Sequence, residues 1–277
     1  MQWGQVAVVV HGSRLPSLLQ GAGGHPSAYT GHPSRQAPFV DEPIRLSKCV
    51  VALTGCSRSQ AQQYIEGGHV LVDGEVVDEP QFMVQGQVVA LAPDARLDPI
   101  EPATLLLHRG ADFVPGSAPW PSLLAPALRS AGDATGIRAL RRHFLRLEEV
   151  LPPEAGASGL VVLTQDGRLL RRMQEDGAGI EQEYVVEVAG EIAADGLQRL
   201  AHGLRYAGRP LPPAKVSWQS ETKLRFALKG VQPRQLAVMC GQVGLQVVAM
   251  KRLRIGRVSL GKMATGEWRF LAPGVRF

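Results

Sequence analysis

From Arg45 onward the apolar positions keep two rhythms. Leu46, Cys49, Val50 and Leu53 recur at helical spacing, and Gly55 stops the run. Ser57-Arg58-Ser59-Gln60 then has the form of a capping box, in which the Ser57 hydroxyl accepts from the Gln60 amide. Ala61, Tyr64 and Ile65 share one face of the helix that follows, and Gly67-Gly68 ends it. His69–Val77 alternates around Asp73-Gly74, a pair suited to the positive φ angles of a tight hairpin turn. Val88–Leu91 closes a small unit of two short helices and a sheet, spanning 45–92.

Residues 93–103, with Pro and Asp, make a linker. Beyond it, 104–277 reads as α+β, a mixed α/β domain of strands interleaved with helices. Strands are expected at Leu105–Leu107, Gly159–Thr164, Glu183–Val188, Lys223–Leu228 and Leu245–Ile255. Helices are expected at Arg168–Met173, through Ile192, Leu197, Leu200 and Leu204, and at Arg234–Val243. Residues 114–135, rich in Pro, Ala, Gly and Ser, read as irregular.

Before Arg45 no such period exists. Gly, Pro, Ser and His fill most of residues 11–43, so 1–44 is expected to be a disordered tail. His11, His25 and His32 lie there at spacings too irregular for a metal site.

Composition narrows the class. At 277 residues, with 45% hydrophobic and 20% charged, the chain suits one large or two modest globular domains. No apolar run approaches the roughly 18 residues of a membrane span. Val6–Val10 is too short for a secretory signal. The 3 cysteines, Cys49, Cys56 and Cys240, have no metal-ligand spacing and cannot all pair, which favours a reducing cytoplasm. The net charge of +5 makes a polyanion partner reasonable. It concentrates after Lys215, where twelve Lys/Arg face only Glu221 and Glu267 within the same segment.

The order of helix, cap and hairpin in Arg45–Leu91 resembles the small RNA-binding module of the ribosomal small-subunit protein S-four type. Its marks are Arg45-Leu46, Ser57-Arg58, Ala61, Ile65, Gly68, Val70 and Val72-Asp73-Gly74. The resemblance implies that Lys48 and Arg58 touch RNA phosphates. Residues 45–92 nevertheless hold three Lys/Arg against five Asp/Glu, an acid excess unusual for such a module.

The remainder is similar to the RsuA/RluF branch of RNA pseudouridine synthases. The matching residues are Arg234-Gln235-Leu236, Met239-Cys240, Gly244-Leu245, Val247, Lys251-Arg252, Arg254-Ile255 and Gly266-Glu267-Trp268-Arg269. Gly159–Thr164 with Asp166-Gly167, and Glu181-Gln182-Glu183-Tyr184, also match. The resemblance implies isomerisation of uridine to pseudouridine in ribosomal or transfer RNA. The target base is flipped out, an Asp carboxylate acts at the ribose carbon, and a tyrosine packs on the uracil. It implies neither cofactor nor metal, a monomer, and RNA contacts by Arg234, Arg252 and Arg254. Lys251 should face away from the latter two.

Position by position, Glu154 stands where the family Asp belongs and Tyr184 is kept. Arg146-Leu147-Glu148 offers a second alignment with worse spacing. Family Arg is Pro152, family Lys two before the tyrosine is Gln182, and the Arg-Arg pair before Met239 is Ala237-Val238. Lys-Pro after the first strand is Arg109-Gly110. A carboxylate in a dry pocket needs a cation to stay ionised. Without these cations a buried Glu154 should have a raised pKa, and turnover should be weak or lost. The alternative expectation is a catalytically inactive RNA- or ribosome-associated protein. Trp268 and Cys240 are expected to be packing residues.

Overall fold

A computed structural model describes residues 7–8, 42–113 and 119–277. These divide into two compact units, one running to Glu101 together with Leu140–Arg142, the other comprising Pro102–Ala139 and His143–Phe277.

In the smaller unit β1 (Ala7–Val8) and β2 (Ile44–Arg45) precede α1 (Leu46–Thr54) and α2 (Arg58–Glu66). Then come β3 (Val70–Val72), β4 (Glu75–Val76), β5 (Met83–Val84) and β6 (Val89–Leu91). Gly55 ends α1 at φ 72°, and Ser57 and Gln60 complete the reciprocal capping box of α2. Asp73 and Gly74, at φ 52° and 87°, make the β3–β4 turn. The sheet order is β1-β6-β3-β4, with β2 paired to β5. Leu46, Val50, Ala61, Ile65 and Val70 are fully buried between the helices and the sheet. Within the expected tail, Ala7–Val8 pairs with β6, and Ile44 pairs with Val84 of β5. Its histidines His11, His25 and His32 lie outside the described residues.

The larger unit begins with β7 (Thr104–Arg109), α3 (Trp120–Leu123), β8 (Glu148–Val150), β9 (Ser158–Thr164) and α4 (Gly167–Asp176). Next are β10 (Glu181–Gly190), α5 (Gly196–Ala201), β11 (Arg205–Tyr206), β12 (Arg209–Pro210), β13 (Lys215–Ser220) and β14 (Lys223–Lys229). It closes with α6 (Gln235–Gly241), β15 (Leu245–Ile255), β16 (Val258–Ser259) and β17 (Trp268–Phe270). The mixed α+β class is what the structure shows. Its sheet runs β13-β14-β10-β15-β9-β7-β17, with β16 beside β15 and β8 beside β9. The pairing is antiparallel except between β9 and β15.

Two expected stretches are corrected. The irregular segment contains α3 and a 3-10 turn at Pro126–Leu128, although 114–118 lie outside the described residues. The helix expected through Ile192–Leu204 shrinks to α5, because Gly203 takes φ 111° and Leu204 leads into a hairpin. Trp268 is the packing anchor it was expected to be. It is 0% exposed, lies edge-on to Phe144 and Phe270, and donates its indole N–H to the Ala125 carbonyl at 2.8 Å.

Candidate functional site

The residues singled out for chemistry come from the middle of the sheet. Tyr184, on β10, is paired with Phe226 on β14 and Arg252 on β15. Glu154 lies on the loop between β8 and β9, which starts in Pro152-Pro153 and ends as Ala157 packs into the core. The structure brings the two together, with the Glu154 amide donating to the Tyr184 hydroxyl at 3.3 Å. That hydroxyl in turn donates to Gln182 Oε1 at 3.2 Å. Glu148, the second alignment, is exposed on β8.

Glu154 is no surface carboxylate. It is 2% exposed, and burial pushes its pKa up to about 7. The amides of Leu236, Ala237 and Gln235, at the start of α6, and the charge of Arg234 oppose that rise. They act through space rather than through well-aligned bonds, since neither carboxylate oxygen has a hydrogen-bond partner of good geometry. Among the described residues no cation lies within ion-pair distance of Glu154.

Two buried arginines do stand nearby, although neither pairs with Glu154. Arg252, expected on an RNA-facing surface, is 0% exposed. Its Nε donates to the Leu160 carbonyl, and Nη1 to the Leu151 carbonyl and, at 3.0 Å, to Gln182 Oε1. The physical reason is topological. β9 and β15 pair in parallel only at Ser158–Lys251 and Gly159–Arg252, and the Arg252 guanidinium reaches carbonyls of β9 and of the loop after β8. Arg109 is buried as well, donating to the Ala157 carbonyl at 2.7 Å and standing 4.0 Å from the Glu149 carboxylate. Two arginines therefore lie behind Tyr184, and both stabilise ionised forms near them. Burial still holds Tyr184 above the usual phenol range and Glu149 above the usual carboxylate range.

Glu149 escaped sequence reasoning because only its neighbours Glu148 and Glu154 align with the family carboxylate. It lines a cavity of about 370 Å³ with Leu151, Pro152, Met173, Gln182 and Gln232. Cys240 is a buried core thiol, pushed up to about 12 by its surroundings.

The other expected RNA contacts are spread out. Lys48 and Arg58 are exposed on α1 and at the start of α2. Arg234 is exposed in the left-handed conformation, φ 63°, just before α6. Arg254 donates to Glu183 at 3.1 Å and to Glu181 at 2.7 Å. Arg225 pairs with Glu183, Lys215 with Glu181 and Lys223 with Glu187. Carboxylates of β10, which stand earlier in the chain and beside these strands in the sheet, thus offset part of the basic excess counted after Lys215, at Lys215, Lys223, Arg225 and Arg254.

Among the described residues, no group of three or more His, Cys, Asp or Glu side chains could hold a metal ion, and no helix is long and apolar enough to cross a membrane.

Comparison with known proteins bears on this arrangement. The S4 domain family model matches residues 44–89. The chain is 29% identical over 233 residues to the dual-specificity RNA pseudouridine synthase RluF of Salmonella typhi, covering 84% of this chain and 77% of that one. It is 25% identical over 239 residues to the ribosomal large subunit pseudouridine synthase B of Bacillus subtilis, covering 83% and 92%. Against the ribosomal small subunit pseudouridine synthase A of Vibrio parahaemolyticus it is 27% identical over 233 residues, covering 82% and 96%. A solved pseudouridylate synthase superposes with a TM-score of 0.48 at 22% identity over 83% of this chain and 96% of its own, a likeness too distant to carry weight. The chain therefore has an S4 domain near its N-terminus and, across most of its length, pseudouridine synthase homologues of the RluF and RsuA kind.

Proposed function

We propose that this chain binds structured ribosomal or transfer RNA and presents a uridine to Glu154 and Tyr184, with weak turnover to pseudouridine at neutral pH. The observation that carries this reading is the state of Glu154. Its backbone amide donates to Tyr184, while its carboxyl is buried near the start of α6, without a hydrogen-bond partner and with a pKa raised to about 7. A group acting as an anion at the ribose carbon would be about half neutral at pH 7. Glu is also one methylene longer than the family Asp, and a misplacement of about 1 Å costs roughly a hundredfold. Residues 45–92 serve as the RNA-binding module, with Lys48 and Arg58 on phosphates, 93–103 as the linker and 104–277 as the catalytic domain. The reading requires no cofactor or metal and places the protein in the cytoplasm as a monomer.

Tritium release from RNA labelled at carbon 5 of uridine tests it. Release should be slow at pH 6 and rise about tenfold by pH 8, following a group that ionises near 7. A rate independent of pH across that range overturns the assignment of Glu154. One observation favours the second reading, a protein that binds RNA without chemistry. Tyr184 is 0% exposed, so neither ring face is open to a base in this conformation. No release at any pH from a protein that binds the RNA would favour it.

A further inference from the structure

Two sets of cations in the larger unit differ in what faces them. On the sheet, Lys215, Lys223, Arg225 and Arg254 each meet Glu181, Glu183 or Glu187. On α4, Arg168, Arg171 and Arg172 are exposed, and among the described residues none of their side chains makes an ion pair or hydrogen bond. Side chains at i, i+3 and i+4 of a helix are neighbours, so these three guanidinium groups form one patch.

The patch adjoins the cavity. Leu170, Met173 and Gln174, on the other side of α4, line the space of about 370 Å³ that Gln182 and Glu149 also border. Gln174 stands at i+3 from Arg171, so the positive face meets the cavity rim there. Arg171 and Arg172 stand four residues before Glu175 and Asp176, a spacing that permits ion pairs along α4, yet among the described residues none forms. Cations crowd the first two turns and Glu175-Asp176 close the helix, the reverse of what its dipole favours. Like charges at these spacings also repel. The cavity itself has no Lys or Arg in its lining; the exposed cations next to its lining residues in the chain are Arg171 and Arg172 on α4, and Lys229 and Arg234 around residues 230–232.

We infer that Arg168, Arg171 and Arg172 hold the phosphate backbone of an RNA strand that crosses α4 beside this cavity, whose wall residue Gln182 accepts from the Tyr184 hydroxyl. The inference rests on the reading that the chain binds RNA and assigns that contact to a surface the sequence motifs did not indicate. Arginine suits it, because its planar fork meets two phosphate oxygens at once.

The test compares two triple variants of the full chain, R168Q/R171Q/R172Q and K215Q/K223Q/R225Q. Both remove three positive charges. Each is titrated with a structured ribosomal RNA fragment between about 50 and about 400 mM KCl. The α4 variant should lose at least about tenfold in affinity at low salt, and its slope of log affinity against log salt should flatten by about two to three. The sheet variant should keep a slope near that of the unmodified protein. Should the α4 triple melt early, the three single variants take its place, each flattening the slope by about one. Unchanged affinity and slope in the α4 variants, or an equal loss in the sheet variant, overturn the inference while RNA binding stands. An unmodified protein that binds no RNA at low salt brings down the RNA reading and the patch together.

Discussion

Gly159 and Arg252 meet backbone to backbone where β9 runs parallel to β15, and no side chain fits between them. A Cβ built on Gly159 would overlap the Arg252 carbonyl, and Gly159 already takes φ 100°, where other residues are strained. Gly159→Ala should therefore destabilise the larger unit by about 2–4 kcal/mol, read as a fall in the denaturant midpoint. A variant within about 0.5 kcal/mol of the original would show that the strands can separate there at little cost.

Arg252 is expected to matter for folding and not for the salt dependence of RNA binding. Arg252→Met removes the donor that satisfies Leu151, Leu160 and Gln182, and should cost about 3–5 kcal/mol. At a temperature where the variant remains folded, its slope of log RNA affinity against log salt should match the original. A flatter slope would mean that the guanidinium reaches phosphate after all.

Glu154 makes a prediction with a definite sign. Its folded pKa is raised, to about 7 from an ordinary 4.5, so the native state holds a proton that the unfolded chain releases. That contribution is full below about 4.5 and is lost as pH rises through 7. Relative to Glu154→Gln, the original protein should lose on the order of 3 kcal/mol between pH 4.5 and 8. Denaturant titrations of both proteins across that range check it, and parallel curves would contradict the buried, unpaired carboxyl.

Asp133 should show the opposite sign. Its carboxylate accepts from Thr135 twice, from Arg129 and from the Phe270 amide, which hold its pKa down to about 2. The stability it adds is present above about 3.8 and is lost as pH falls through 2. Asp133→Asn should cost about 2 kcal/mol at pH 7 and little at pH 2. A pH-independent difference would point to lost packing rather than lost charge.

How much of this was legible beforehand depends on whether the signal was local. The Ser57 box, the Asp73-Gly74 turn and β15, a strand observed at its expected limits of Leu245–Ile255, are written in adjacent residues. β13 left no trace because it is a sheet edge with five of its six residues exposed, so no apolar alternation marks it. β8, Glu148–Val150, is too short and too acidic to read as a strand. At the candidate site, Glu154 and Tyr184 could be named from spacing. The burial of Arg252 could not, because the carbonyls that receive it come from about 90 to 100 residues away, and charged side chains ordinarily face water. The charge count after Lys215 overstated the free positive charge for the same reason, since four of its cations find their counter-charges on β10.

Gln182 carries one last implication. Its side-chain oxygen already receives Tyr184 and Arg252, which fixes which way round the amide lies. What Gln182 leaves for a guest is an N–H, which suits an electron-rich atom such as a carbonyl oxygen, whereas an acceptor for a donor in the same lining is Glu149. A lysine at the same place would have attracted any anion. The amide asks instead for a neutral, hydrogen-bond-accepting edge.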